Sequence, residues 1–224
     1  MNVIGIIVAE EKELLEIKKI MNITEVKTLY EKEFYIGNID GKMCVLVKSN
    51  VGKVNSSRMC QMLIDCFDIE LVINVGTAGS VDNSLNIGDV VVASELVQYD
   101  FDVTCFGRTL GEIENIGKSI KVDKALLDLF DNVRIGTIAT GDKFISDKGE
   151  KQQIKNYFNA LCIEMEGASI AQVCYLDKIP FLIIRSITDK MDDSATVDFE
   201  TFLSSSSKNA AKILKNFIIK YNKK

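Results

Sequence analysis

Three apolar runs, at residues 3–9, 70–75 and 181–189, end in small or charged residues. Apolar runs of this length, bounded in this way, indicate buried β-strands. Segments in which apolar residues recur at helical spacing separate them, at residues 10–21, about 50–66 and about 148–157, and another closes the chain. Strands that alternate with helices favour an α/β fold built on a largely parallel sheet.

The carboxyl ends of these predicted strands carry acidic side chains. Glu13 comes shortly after the first strand, Glu166 follows a later strand, and Asp189 ends the last one. In an open α/β sheet, ligands bind in the crevice beyond the carboxyl ends of the strands. We therefore expect these three acids, which are far apart along the chain, to meet in one cavity.

The segment at residues 161–168 places two acids at such an edge. A short apolar run leads directly into Glu164 and Glu166, which a spacing of two puts on the same side of an extended chain. Neither charge is tolerated in a buried position without a polar partner. Glu166 has a second interpretation, as a cap for the helix that follows, because acids suit a helix N-terminus. The local pattern leaves both interpretations open.

Length and charge exclude several classes of protein. The 224 residues contain one proline and no Gly/Ser-rich spacer, so we expect a single domain spanning residues 1–224. A net charge of −5 argues against a nucleic-acid partner, which requires a basic surface. No apolar run approaches the roughly 18 residues of a membrane span, and the N-terminus lacks the basic region of a signal peptide.

The chain contains no histidine and six cysteines without a C-x-x-C spacing. A Cys/His zinc site and nucleophiles activated by histidine are therefore excluded. Reduced thiols packed in the core of a cytoplasmic protein are the better interpretation of the cysteines. Acid–base chemistry must then come from carboxylates, Lys, Tyr or Cys.

Two loops are candidate ligand sites. Gly52-Lys53 lacks the other residues of a phosphate-binding loop. No G-x-G-x-x-G follows a predicted strand, so a dinucleotide cofactor is not supported. Residues 76–80 are small and permit close approach of a ligand to the backbone, although a tight turn requires the same residues. The apolar loop at 99–107 packs either on its own core or on a partner subunit.

Several carboxylates without a histidine suit a reaction whose transition state carries positive charge on carbon. Cleavage of a glycosidic bond is the clearest case, with one acid protonating the leaving group and one carboxylate activating water. A purine can be that leaving group if a ring nitrogen is protonated, and Phe144 could stack on a flat base. A magnesium site built from carboxylates is the competing interpretation.

Seven segments occur in order from the first strand to the final helix: Ile4-Gly5-Ile6-Ile7 with Ala9 and Glu13, Lys48-Ser49-Asn50-Val51-Gly52-Lys53-Val54, Asn74-Val75-Gly76-Thr77-Ala78-Gly79, Asp102-Val103-Thr104-Cys105-Phe106-Gly107, Gly141-Asp142-Lys143-Phe144-Ile145, Glu164-Met165-Glu166 and Arg185-Ser186-Ile187-Thr188-Asp189. They resemble the successive motifs of the 5′-methylthioadenosine/S-adenosylhomocysteine nucleosidase family. The resemblance covers essentially the whole chain.

This resemblance implies the nucleoside phosphorylase-type α/β fold, a three-layer sandwich in which helices flank a central mixed, largely parallel twisted sheet. It also implies a homodimer, and we expect a cytoplasmic protein that needs neither a cofactor nor a metal. The implied reaction is irreversible hydrolysis, with water as co-substrate, that releases adenine from a 5′-thio-substituted ribose.

Roles for individual residues follow from the same resemblance. Asp189 matches the acid that protonates adenine N7, Glu13 matches the carboxylate that activates water, and Glu166 matches the ligand of the ribose hydroxyls. The other matched residues line the substrate pocket: Met165 and Arg185 beside the ribose, Phe144 and Ile145 at adenine, Thr77 near Asp189, Val51 and Phe199 around the 5′ group, and Val103 and Phe106 from the other subunit.

One departure from the family pattern is Glu10, which replaces a methionine that lines the sugar and water site. An added acid there either raises the pKa of neighbouring carboxylates or points away from them. Three alternatives remain: a nucleoside phosphorylase of the same fold, a nucleosidase for another 5′ substituent such as that of aminodeoxyfutalosine, and a non-catalytic nucleoside-binding protein. The phosphorylase is disfavoured because acids after the first strand would repel phosphate.

Overall fold

The computed structural model describes residues 2–190 and 195–223, and its strands join in one mixed sheet. In chain order the strands are β1 (Val3–Val8), β2 (Asn22–Leu29), β3 (Lys32–Ile39), β4 (Lys42–Lys48), β5 (Ile69–Ser80), β6 (Val90–Gln98), β7 (Ile120–Lys121), β8 (Arg134–Thr140), β9 (Cys162–Glu164) and β10 (Phe181–Asp189).

The helices connect these strands and cover the sheet. They are α1 (Glu11–Ile20), α2 (Lys53–Cys66), α3 (Lys124–Leu127), α4 (Lys148–Phe158), α5 (Gly167–Asp177) and α6 (Ala195–Tyr221). A single 3₁₀ turn lies at Thr104–Phe106. Within the described ranges, none of the helices combines the length and the apolarity that crossing a bilayer would require.

Part of the sheet closes on itself. β5 pairs with β9, β9 with β8, β8 with β6, β6 with β10, and β10 again with β5. β1 pairs with the first half of β5, on the edge that β9 occupies near the end of the strand, and β4, β3 and β2 extend the sheet from β1. This closure brings the ends of β5, β9 and β10 together, although long stretches of chain separate them.

The sheet is mixed, as expected, with more antiparallel pairing than strand–helix alternation alone predicts. Among the described strands, β1–β4, β1–β5, β5–β10, β6–β8 and β8–β9 pair in parallel, and five further pairs are antiparallel. Asp-Gly is a hairpin signal in a sequence, and Asp40-Gly41, with both residues at positive φ, forms the turn of the antiparallel pair β3–β4.

Three element boundaries differ from the sequence-based expectation. β2 was not predicted; it is an exposed strand with charged residues, which suits the edge of a sheet. β5 continues to Ser80, past the end of the apolar run at residue 75 and through the small residues at 76–80. The sequence pattern over residues 122–130 predicts a helix, but the structure has only the single turn α3 in that segment.

Strand β10 is the most deeply buried element of the sheet. All nine of its residues are buried, and they include Arg185, Ser186, Thr188 and Asp189. Helix α6 packs against β10 and β5. Since buried polar groups need partners, the polar residues of β10 must pair with groups from neighbouring elements, and most of these pairs lie around one cavity.

Candidate active site

A cavity of about 280 Å³ lies where β5, β9 and β10 end. Nine of the twelve residues proposed from the sequence line it: Glu13, Val51, Thr77, Phe144, Ile145, Met165, Glu166, Asp189 and Phe199. Glu10 and Glu164 line it as well. The acids that follow three separate strands therefore do meet in one place.

Glu13 is held in the first turn of α1 by four hydrogen bonds. The backbone N–H groups of Ala9 and Glu10 each donate to its Oε2 at 3.0 Å. The N–H and the hydroxyl of Thr77 donate to its Oε1 at 3.0 and 3.2 Å. Burial raises the pKa of Glu13, while these N–H groups and the charge of Arg185 oppose the increase.

Thr77, which the resemblance implied to be near Asp189, lines the same cavity as Asp189. Its hydroxyl donates to Glu13. The hydroxyl that donates to Asp189 belongs to the adjacent Thr188, at 3.0 Å from Oδ1.

Two glycines of β5 allow the carboxylates to lie against the strand. A Cβ atom at Gly76 would lie 2.9 Å from Oε1 of Glu13, and one at Gly79 would lie 2.7 Å from Oδ2 of Asp189. Both distances are shorter than a non-bonded contact permits. The small residues that sequence analysis associated with close approach of a ligand therefore serve here to admit the chain's own acidic groups.

Asp189 ends β10 and is 2% exposed. Its Oδ2 accepts a hydrogen bond from the buried ammonium group of Lys151 at 2.8 Å. Burial raises the pKa of Asp189, while the hydrogen bonds and charge of Lys151 and the hydroxyl of Thr188 act in the opposite direction.

Glu164, rather than Glu166, caps helix α5. The backbone N–H groups of Glu166 and Gly167 donate to Oε2 of Glu164 at 3.0 and 2.7 Å. Glu164 also accepts a hydrogen bond from the Thr140 hydroxyl and forms an ion pair with Arg185. The interpretation of Glu166 as the helix cap was therefore wrong. The side chain that accepts the N–H groups at the start of α5 is that of Glu164, two positions earlier.

The carboxylate of Glu166 is consequently free to face the cavity. Its Oε1 accepts a hydrogen bond of 2.9 Å from the N–H of Gly52, at the start of α2. Helices α2 and α5 are held together one turn further on by a 2.8 Å hydrogen bond between Ser56 and Ser169. Burial, followed by the nearby charge of Glu164, raises the pKa of Glu166 to about 8.

Arg185 lies behind the cavity and is not part of its lining, which corrects the expectation from the sequence. The side chain is 1% exposed and donates to Asn74 and Glu164. One of its nitrogens is 3.8 Å from Oε2 of Glu166. Arg185 therefore balances the negative charge of Glu164 and Glu166 from the side of these residues that faces away from the cavity, and it does not contact a ligand there.

The aromatic residues form one wall of the cavity. The rings of Phe144 and Phe199 meet edge to face with centroids 5.7 Å apart. Phe144 is 45% exposed, whereas Ile145 beside it is buried. An exposed aromatic face at a cavity mouth suits stacking on a flat ring.

Val103 and Phe106 do not line the cavity within one chain. Phe106 is 82% exposed in the 3₁₀ turn after β6.

In the part of the chain that the structure describes, no group of three or more Cys, Asp or Glu side chains is arranged to hold a metal ion. The carboxylates at the cavity are instead engaged by N–H groups, hydroxyls and cations.

Comparison with known proteins agrees with this geometry. The model of the phosphorylase superfamily matches residues 3–219. A 5′-methylthioadenosine/S-adenosylhomocysteine nucleosidase of Staphylococcus carnosus is 38% identical over 221 residues, which cover 94% of this chain and 96% of the relative. The chain belongs to this nucleosidase family.

Two solved structures of Helicobacter pylori proteins have the same fold. A 5′-methylthioadenosine/S-adenosylhomocysteine nucleosidase in complex with a substituted pyrrolidin-3-ol superposes with a TM-score of 0.93 at 32% identity, covering 97% of this chain and 98% of its own. A futalosine hydrolase superposes equally well, with a TM-score of 0.93, 32% identity and 97% coverage of each chain. Overall similarity to the nucleosidase family therefore does not distinguish between 5′ substituents.

The sequence pattern does not single out two residues that lie against Asp189. Lys151 falls in a helix whose other residues are mostly polar, and only its position three and seven residues before Ile154 and Phe158 marks it as part of the buried face. Gly79 was noted only as a small residue. Its relation to Asp189 depends on the pairing of β5 with β10.

Proposed function

We propose that this protein hydrolyses the N-glycosidic bond of 5′-methylthioadenosine and S-adenosylhomocysteine, and also that of 5′-deoxyadenosine. The products are adenine and the 5-substituted ribose. The observation that supports this most directly is the convergence of Glu13, Glu166 and Asp189 on one cavity with an exposed aromatic ring, Phe144, at its wall.

In this mechanism Asp189 is the general acid. Adenine is a poor leaving group as an anion, so proton transfer from Asp189 to N7 allows the C1′–N9 bond to break with its electron pair moving into the base. General acid catalysis of this kind typically contributes about 10²–10⁴-fold. The raised pKa of Asp189 helps the residue to hold its proton before the transfer.

Glu13 accepts the proton of the attacking water as oxygen bonds to C1′. A carboxylate has about four acceptor positions, and in the free protein four hydrogen bonds are made to Glu13. Water must therefore replace one donor, and the Thr77 hydroxyl at 3.2 Å is the longest of them. We assign the exchange to this hydroxyl because it can rotate away without moving the backbone.

Glu166 binds the ribose hydroxyls and favours the positive charge that develops on the sugar ring. Met165 supports the ribose, Phe144 and Ile145 hold adenine, and Val51 and Phe199 surround the 5′ group. Arg185 contributes from behind the acids by limiting their mutual repulsion.

Charge at the cavity favours hydrolysis over phosphorolysis. Four glutamates and Asp189 line the cavity, and the cation that lines it, Lys143, is paired with Glu150 at 2.7 Å. Phosphate would require cationic or N–H ligands in the same space. Release of adenine from 5′-methylthioadenosine in phosphate-free buffer tests the assignment. Turnover that requires phosphate would identify a phosphorylase, and binding without turnover would identify a nucleoside-binding protein.

We further propose that the protein is a cytoplasmic homodimer. Val103 and the exposed Phe106 would close the 5′ end of the partner's cavity, a role that neither residue has within its own chain. Val54, 80% exposed near the start of α2, adds apolar surface for the contact. The buried thiols of Cys60 and Cys174, 3.5 Å apart and unbonded, suit a reducing compartment.

A further inference from the structure

Lys151 is a fully buried lysine, which is rare in folded proteins. Its ammonium group donates to Oδ2 of Asp189 at 2.8 Å and to the backbone carbonyl of Lys190 at 2.6 Å. Both acceptors lie at the end of β10, where the strand borders the cavity. The lysine thus approaches Asp189 from the protein interior.

Helix α4 directs Lys151 to this position. Asp147 caps the helix by accepting a 2.7 Å hydrogen bond from the N–H of Glu150. Lys151, Ile154 and Phe158 form the buried face of the helix, at the spacing of three and seven residues that places side chains on one side. A lysine at the first of these positions replaces the apolar residue that this face would otherwise carry.

The energetic reason for this replacement lies in Asp189. A buried ammonium group without a partner is strongly disfavoured, so Lys151 is stable there only because it is paired. Among the residues that the structure describes, the other ionisable groups that interact with Asp189 are Asp198 from α6 and Cys162 from β9. Neither of them offers a positive charge, so Lys151 is the group that stabilises an ionised Asp189.

We propose that Lys151 is a positioning residue that holds one carboxyl oxygen of Asp189 and stabilises the negative charge Asp189 acquires as it protonates the leaving base. This inference rests on the proposed role of Asp189 as the acid. As the O–H bond of Asp189 breaks and the N7–H bond forms, the carboxyl group becomes a carboxylate 2.8 Å from a fixed ammonium group. The proton that Glu13 takes from water returns to Asp189 through solvent and completes the cycle.

This arrangement makes a prediction that a purely structural role would not make. An adjacent cation lowers the pKa of a carboxyl group by about one to three units, so a neutral residue at position 151 should raise the pKa of Asp189. Asp189 would keep its proton to higher pH, and the alkaline limb of kcat/KM would move to higher pH. The maximal rate would fall nevertheless, because the ionised form of Asp189 loses its stabilising partner.

The experiment compares Lys151→Met, which removes the charge, Lys151→Gln, which keeps N–H donors without the charge, and Lys151→Arg, which keeps the charge. Adenine release from 5′-methylthioadenosine is measured between pH 5 and 10. In parallel, the ¹³C signal of the Asp189 carboxyl group is titrated by NMR in protein labelled at aspartate, with Asp189→Asn providing the assignment. Circular dichroism confirms that each variant is folded.

We expect both neutral variants to raise the Asp189 pKa and the alkaline limb by about one unit or more. Their kcat should fall on the order of 10²-fold with KM changed by less than about threefold, and Lys151→Arg should keep the limb near its original pH. If a folded neutral variant left both the Asp189 pKa and the alkaline limb of kcat/KM unchanged, the proposed role of Lys151 would be overturned. Near-normal turnover by Asp189→Asn would instead contradict the proposed acid, so the two failures are distinguishable.

Discussion

A Cβ atom added to Gly79 would lie 2.7 Å from Oδ2 of Asp189, the same oxygen that accepts the hydrogen bond of Lys151. Gly79→Ala should therefore displace the proposed acid or its ion pair. Overpacking of this kind typically costs about 1–3 kcal/mol of stability, and we expect a loss of kcat of at least about tenfold, since a small misplacement of a reacting group is costly. Urea unfolding and adenine release measure the two effects.

The double variant Gly79→Ala, Asp189→Ala provides the control for this prediction. With the carboxyl group removed, the added methyl group has room, so Gly79→Ala should destabilise the Asp189→Ala protein much less than the original protein. An equal loss of stability in both backgrounds would show that the methyl group meets something other than Asp189.

Asp189→Asn should reduce kcat by roughly 10²–10⁴-fold, the usual contribution of a general acid. Substrate binding should change only modestly, because the amide is nearly the same size as the carboxyl group. Steady-state kinetics together with calorimetric binding of an unreactive substrate analogue measure both quantities. A variant that turns over at a near-normal rate would exclude Asp189 as the acid.

Glu166 should make the stability of the ligand-free protein depend on pH. Burial raises its pKa from about 4.5 to about 8 in the folded state. Between these values the folded protein keeps a proton that the unfolded chain releases, so the contribution of Glu166 to the free energy of unfolding falls as pH rises. The decrease approaches about 1.4 kcal/mol per pH unit for one group.

Glu166→Gln cannot titrate and should lack this contribution. Urea unfolding at pH 5, 6, 7 and 8 should show the original protein losing stability relative to the variant as pH increases. The exposed Glu25→Gln serves as a matched control, whose difference from the original protein should be constant with pH. A constant difference for Glu166→Gln as well would mean that Glu166 is ionised throughout the range.

Glu10 should discriminate between substrates by the charge of the 5′ group. It lines the cavity where relatives of this family are expected to carry methionine. Glu10→Met should improve kcat/KM for aminodeoxyfutalosine, whose 5′ group carries a carboxylate, by about fivefold, the effect of a screened repulsion of about 1 kcal/mol. Methylthioadenosine, which has a neutral 5′ group, is the control substrate. An equal change for both substrates would indicate that Glu10 acts on the sugar or on the water instead.

Phe106→Ala should weaken the binding of substrates with long 5′ groups if this residue closes the partner's cavity. We expect KM for S-adenosylhomocysteine to rise about tenfold, on the order of the 1–3 kcal/mol that a buried large apolar side chain contributes, with a smaller change for 5′-deoxyadenosine. Tyr30→Ala, another exposed aromatic residue, is the matched control. A fully active monomer in sedimentation analysis would contradict the proposed homodimer.

The strands and the acidic positions could be predicted from the sequence because both follow from local pattern. β1, β10 and α2 lie close to their expected bounds. Apolar runs identify buried strands whichever strands they pair with. An acidic residue that directly follows such a run lies at the carboxyl edge of the sheet. β2 could not be predicted in this way, because its residues are mostly exposed and charged and do not form an apolar run.

The pairing of side chains at the site could not be predicted in the same way. The sequence gives no reason to prefer Glu164 to Glu166 as the cap of α5, or Glu13 to Asp189 as the acceptor of the Thr77 hydroxyl. The first choice depends on where β9 ends and α5 begins, and the second on which elements pack beside β5. Neither is encoded in the local pattern of residues.

The sequence by itself narrowed the class of chemistry, because a chain without histidine must use carboxylates, Lys, Tyr or Cys as acid–base groups, and acids stand at the ends of three predicted strands. The tertiary structure decided how each acid is used. Closure of β5, β9, β8, β6 and β10 places Arg185 beneath Glu164, and α4 brings Lys151 to Asp189. The physical reason is that the proton affinity of a buried carboxyl group is set by the charges and donors within a few ångströms of it, and those neighbours come from distant parts of the chain.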